Sequence, residues 1–121
     1  MERNDNNTTL QNLKKTVENF VKDRDWEKYH TARNLAESIS IEASELLELF
    51  QWSLSEEELS PGSMKLSRLE EELADVLVYC LSLANSAKID VTIAILSKMK
   101  KNEQKYPAEK YKGTYSKPGR E

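Results

Sequence analysis

The chain has 121 residues and a net charge of −3, with 38% hydrophobic and 32% charged side chains. That length suits one domain, 1–121, without space for a second core, and the acidic balance excludes a general binder of nucleic-acid polymer, which is normally basic. A long apolar run and a signal-peptide layout are both missing from the pattern, so no membrane association or secretion is expected and the setting is read as cytoplasmic.

Residues 1–7 are polar and read as a flexible lead. Thr8 or Thr9 then caps a first helix, in which Leu10, Leu13, Val17, Phe20 and Val21 follow the helical apolar period. It fades near Asp25 and Trp26, and a short link through Tyr29 and His30 leads to Thr31, the cap of a second helix reaching to about Trp52. Residues 53–63 form a connection with turn chemistry at Pro61 and Gly62. The acidic run at 56–58 within it reads as a solvated turn. A third helix is expected over 64–87. Asp90 caps a fourth, carrying Val91, Ile93, Ala94, Leu96 and Met99 and ending before Pro107. Residues from about 107 to 121 have no apolar period and read as a flexible tail or an arm over a neighbouring subunit. Nothing alternates with the period of a strand, so the expected fold class is all-α, of four-helix-bundle type. The lone Cys80 lies on an apolar stripe and reads as core packing. The lean hydrophobic fraction suits slender amphipathic helices that complete their core with a second copy, so a homo-oligomer is expected.

Two of these helices repeat one another. Ile39, Ala43, Leu46, Leu47 and Phe50 form an apolar stripe on the second helix, and Leu69, Leu73, Val76, Leu77 and Cys80 form its twin on the third. At about 100° per residue from Ile39 and Leu69, Glu42 and Glu72 both fall at about 300°, and Glu45 and Asp75 both at about 240°. If the stripes pack face to face, four carboxylates converge along one edge, where like charges repel unless a cation lies among them. The bland alternative is a solvated face paired with lysines. Against it, the pairs flank the apolar stripes and match in register, and residues 39–63 contain neither Lys nor Arg.

Carboxylates without His or Cys favour a hard cation, Mg²⁺ with Mn²⁺ as a substitute. A di-iron bundle would require Glu-x-x-His pairs, and the single histidine, His30, lies outside both motifs. Such a cation on a small helical protein suggests phosphate chemistry. Tyr79 falls at about 280° on its helix, a turn beyond Glu72 and Asp75, and could present its hydroxyl to a phosphate oxygen or be merely half-buried. Lys98 and Asn102 share a face at i, i+4, though a basic helix end also suits the helix dipole. Trp26, His30 and Trp52 could stack on or hydrogen-bond a nucleobase; the two tryptophans serve equally as core anchors.

In this order the motifs Arg24-Asp25-Trp26, His30-x-x-Arg33-Asn34-Leu35, Glu42-x-x-Glu45, Gln51-Trp52, Glu71-Glu72-x-x-Asp75, Tyr79, Ser97-Lys98, Asn102 and Tyr106-Pro107 accumulate into a pattern. The chain resembles the MazG-like branch of the all-α nucleoside triphosphate pyrophosphohydrolases, and within it the small dCTP pyrophosphatases, from about Asp25 to Pro107. The resemblance implies hydrolysis between the α- and β-phosphates of a nucleotide, giving the monophosphate and pyrophosphate. It also implies Mg²⁺ held by Glu42, Glu45, Glu72 and Asp75; of these, Glu45 is the candidate for orienting the attacking water. Tyr79, Lys98 and Asn102 match positions that handle phosphate or nucleotide, and Trp26, His30 and Trp52 match the base and sugar pocket. It further implies a site completed by neighbouring subunits, in a tetramer built as a dimer of dimers or in a dimer. Two rivals remain: the related phosphoribosyl-ATP pyrophosphohydrolases, and a non-catalytic helical module whose acidic edge binds a basic partner.

Overall fold

Thr9, rather than Thr8, starts the first helix. Its side chain accepts a hydrogen bond from the Asn12 backbone N–H at 3.1 Å, and the Asn12 side chain accepts from the Thr9 N–H at 3.1 Å. This reciprocal pair satisfies two of the donors that a helix start leaves open. The computed structural model describes residues 2–52 and 59–114. The helices are α1 (Leu10–Asp23), α2 (Ala32–Glu48), α3 (Met64–Ala87), α4 (Val91–Lys105) and the one-turn α5 (Ala108–Tyr111), with no strand among the described residues. The all-α expectation holds, and the four long helices are those the sequence predicts.

Thr31, Ser63 and Asp90 cap α2, α3 and α4, each accepting from a backbone N–H three residues on. Ahead of α3, Ser60–Ser63 close a turn through the Ser63 N–H to the Ser60 carbonyl at 3.0 Å. Gly62 has φ +79 there, the left-handed backbone that a Pro-Gly type II turn requires at its third residue. Lys88, also left-handed, ends α3. The acidic run at 56–58 and residues 115–121 of the expected tail lie outside the described residues.

The second helix ends earlier than its apolar period suggests, at Glu48 instead of about Trp52. Leu49, Phe50 and Gln51 donate to carbonyls three residues back, at 3.3, 3.0 and 3.1 Å. The tightened turn still buries Leu49, so the period continues after the α-helix has stopped. A 3₁₀ turn, Glu27–Tyr29, fills the link between α1 and α2.

The chain divides into two compact units, residues 1–88 and 89–121. In the first, α3 packs against α2 and α1. Its core is small: Val17 and Val21 of α1, Leu35, Leu49 and Ala84, with Leu35 only 1% exposed. The Asn85 amide donates to the Lys14 carbonyl at 3.0 Å, tying α3 to α1, and the Ser86 hydroxyl donates to the His30 carbonyl at 2.9 Å. In the second unit, Tyr106 and Tyr111 pack edge to face with ring centroids 5.4 Å apart. No single helix among the described residues is long and apolar enough to cross a membrane.

The buried faces of α2 and α3 are not centred on the predicted stripes. Leu47 is 71% exposed and Leu77 53%, and Leu73 is exposed too. On α2 and its C-cap the buried residues Leu35 and Leu49 fall at about 320° and 280° from Ile39, around Glu42 at about 300°. On α3, Glu72 and Tyr79 are half-buried on the corresponding side. The packed sectors thus extend toward the carboxylates, while Ile39, Leu46, Phe50, Leu69, Val76 and Cys80 of the predicted stripes are half-buried. Consequently Glu42 and Glu72 lie within the contact between helices rather than at its rim.

Candidate metal centre

Matching registers on α2 and α3, brought together by their packing, build the site. Glu42, Glu45 and Glu72 each place a carboxylate oxygen so that the three lie within 4.8 Å of one another. Glu42 and Glu72 are half-buried and Glu45 is exposed. Asp75, one turn beyond Glu72, stands outside this triad, although its charge bears on both half-buried glutamates. The predicted convergence is therefore of three carboxylates, with the fourth alongside.

The electrostatics record the crowding. Glu42 is pushed up from 4.5 to about 7. The largest cause is a hydrogen bond with the Glu45 carboxyl, which needs a proton on one of the two groups. Burial comes next, and then the negative charges of Glu45, Asp75 and Glu72. Glu72 is also raised, by burial first and then by the charges of Glu45 and Asp75, while Arg68 acts in the opposite direction. One oxygen on each of Glu42 and Glu72 is sealed from solvent and has no hydrogen-bond partner. Orphaned acceptors of this kind are costly without a donor or a cation. Three carboxylates, two with unpartnered buried oxygens, form an oxygen-only donor set that fits a hard divalent cation.

Farther along α3, a cleft of about 360 Å³ opens between α1 and α3 beside the link. Glu18, Lys22, His30, Ser82, Asn85 and Ser86 are among the residues that line it. Among the residues expected at a base pocket, His30 lies here. Trp26 packs edge to face on Phe20, with centroids 5.8 Å apart, and remains 44% exposed. Trp52, left-handed at φ 68, is 91% exposed, so it anchors no core among the described residues. Tyr79 is half-buried on α3, on the helical sector of Glu72. Lys98 and Asn102 belong to α4, in the second unit, where Lys98 is exposed and the Asn102 amide lies 3.9 Å from the Met99 sulfur. Ser82, Asn85 and Ser86 escaped the sequence reading. Their signal was a polar i, i+3, i+4 set in an otherwise apolar helix end.

The MazG-like family model matches residues 37–119, which include all four acidic positions. The chain belongs to the MazG-like family. Among relatives of this MazG-like chain, human dCTP pyrophosphatase 1 is 41% identical over 102 residues, spanning 83% of this chain and 60% of that protein. The Bos taurus dCTP pyrophosphatase 1 is 38% identical over 111 residues, 88% of this chain and 64% of that protein. The chain thus spans less than two thirds of the length of these relatives. The crystal structure of a pyrophosphatase from Archaeoglobus fulgidus is 42% identical, with a TM-score of 0.74. The alignment covers 88% of this chain and 98% of that one. The matched model begins beyond Trp26 and His30, and of these two positions His30 lines the cleft.

Proposed function

We propose that this MazG-like chain is a Mg²⁺-dependent nucleoside triphosphate pyrophosphohydrolase that cleaves a (d)NTP, dCTP or a modified dCTP, to the monophosphate and pyrophosphate. The observation that carries the reading is the carboxylate triad with its two buried, unpartnered oxygens. Relatives named dCTP pyrophosphatase 1 support the substrate class.

In this reading Glu42, Glu45, Glu72 and Asp75 hold Mg²⁺, which Mn²⁺ can replace. When bound, the cation offsets the charge of the phosphate oxygens and polarises the bond that breaks. Glu45, the exposed member of the triad, orients a water for in-line attack on phosphorus. Glu42 and Glu72, held between α2 and α3, keep the donor set in place without reorganisation, and such preorganised charge is the largest part of the expected catalysis. Tyr79, Lys98 and Asn102 take the phosphates, and Trp26, His30 and Trp52 take the base and sugar. The cleft between α1 and α3 supports this reading for His30.

A homo-oligomer, a tetramer in preference to a dimer, belongs to the same reading. The support is the unburied apolar sector of α2 and α3 at Leu47, Leu73 and Leu77, and the exposed Ile93, Ile95, Leu96 and Met99 of α4. Exposed apolar side chains of this kind, taken on each unit by itself, suit an interaction face. The cytoplasmic setting is carried over from composition.

The test is pyrophosphate release from each (d)NTP in turn, with and without Mg²⁺. Release from dCTP-type nucleotides, abolished by chelation, is the expected result. Hydrolysis of phosphoribosyl-ATP alone, or metal-independent binding of a basic protein without hydrolysis, would overturn the reading.

A further inference from the structure

Between Arg33 and Lys88 the sequence carries only two basic side chains, Lys65 and Arg68, both near the start of α3. They line one groove of about 500 Å³, together with Leu49 and Ser60. Lys65 lies over the Phe50 ring, 5.3 Å from its centroid. Arg68 is exposed and makes neither a hydrogen bond nor an ion pair among the described residues. By contrast Lys15, Lys22, Lys28 and Arg33 each meet a carboxylate, at 3.3, 2.9, 3.3 and 3.4 Å. The charge of Arg68 nevertheless reaches Glu72, where it opposes the burial and repulsion that raise that carboxyl.

Arg68 also shares the sector of the acidic centre. Counted from Leu69 at about 100° per residue it falls at about 260°, between Asp75 at about 240° and Glu72 at about 300°. It stands one turn before Glu72, about 6 Å along the helix axis. The His30 cleft lies in the other direction, beside Ser82 and Ser86. A nucleotide with its base at His30 and its scissile bond at the triad therefore points its far phosphates toward Arg68. Those phosphates need a cation from the protein: even two divalent cations are balanced by the carboxylates of Glu42, Glu45, Glu72 and Asp75, which leaves the triphosphate charge uncompensated. A guanidinium suits the task, because its planar fork bonds two phosphate oxygens at once.

We propose that Arg68 is a further phosphate-binding residue: its guanidinium holds the β- and γ-phosphates and takes up the charge that develops on the leaving pyrophosphate. This role rests on the pyrophosphohydrolase reading, and the experiment separates the two. Inorganic pyrophosphate and dCMP are each titrated by calorimetry, with saturating Mg²⁺, into the full chain, Arg68→Ala and Arg68→Lys. The kcat and KM for dCTP are measured alongside, and circular dichroism checks that all three fold.

Arg68→Ala should weaken pyrophosphate binding by about ten- to thirtyfold, the loss of charge-assisted hydrogen bonds. Binding of dCMP should change by less than about twofold, because the α-phosphate is not held by this side chain. The kcat should fall by about tenfold or more, since charge on the leaving group is greatest in the transition state. Arg68→Lys should recover only part of each loss, because it keeps the charge without the fork. Unchanged pyrophosphate affinity in Arg68→Ala, or an equal loss for dCMP, would overturn the role of Arg68 while pyrophosphate release by the full chain keeps the activity in place. Full recovery in Arg68→Lys would reduce the side chain to a charge that screens the carboxylates and would overturn the role as well. If the full chain released pyrophosphate from no nucleotide, the activity and the Arg68 role would fall together.

Discussion

Glu42→Gln should make the metal-free protein more stable at neutral and alkaline pH. In the folded chain the Glu42 carboxyl holds its proton up to about 7; the ordinary value is 4.5. Between those values the folded state binds more protons than the unfolded one, so stability falls as pH rises. The favourable contribution is fully present below about pH 4.5 and is lost once pH passes about 7. Taken in full, that difference corresponds to about 3 kcal/mol. Solvent reaches the half-buried side chain, so about 1–2 kcal/mol is expected in practice. Glutamine keeps the shape and removes the charge, which should raise Tm at pH 8 in EDTA by roughly 3–8 °C. At pH 5, where the wild-type group is already protonated, the difference should shrink toward zero. Added Mg²⁺ should then raise Tm of the wild type and much less that of the variant. The assay is thermal unfolding at pH 5 and pH 8, with EDTA or Mg²⁺. An equal or lower Tm for Glu42→Gln at pH 8 without metal would refute the reasoning, because the carboxylates would not then be repelling one another.

Glu45→Ala and Asp75→Ala should each abolish pyrophosphate release with far-UV circular dichroism close to wild type; release retained in both would remove the metal-centre assignment. Leu77→Glu, at an exposed apolar position, should shift the assembly toward monomer in sedimentation velocity while helicity is kept. Leu35→Ala, at the most buried large side chain of the first unit, should cost about 2–5 kcal/mol in denaturant unfolding; a cost under about 1 kcal/mol would mean that the small core is not organised around this residue.

The helix starts were legible because capping is local chemistry. Thr9, Thr31 and Asp90 announce themselves one residue ahead of the first turn, and their hydrogen bonds reach only three residues on. The end of α2 was not legible. Leu49 stays buried through turns that no longer bond like an α-helix, and neither Gly nor Pro marks the stop. The acidic triad was legible as a pair of matched registers, since spacing alone sets which carboxylates share a side. Which side would be buried was not, because the extension of the packed sectors toward Glu42 and Glu72 depends on how α2 and α3 meet. The cleft was the least accessible feature: His30 and Ser86 are separated by 56 positions and joined by one hydrogen bond. No local pattern encodes a pairing over that distance.

Trp52 gives the chain an optical reporter of its own. Its indole is almost wholly in water, whereas the other tryptophan rests against Phe20. The long-wavelength part of the intrinsic emission of an isolated copy therefore belongs mainly to this side chain. Anything that covers the ring, a nucleotide or a second copy, moves that emission to the blue. With Trp26 replaced by phenylalanine, one fluorescence titration follows the covering of Trp52 without any added label.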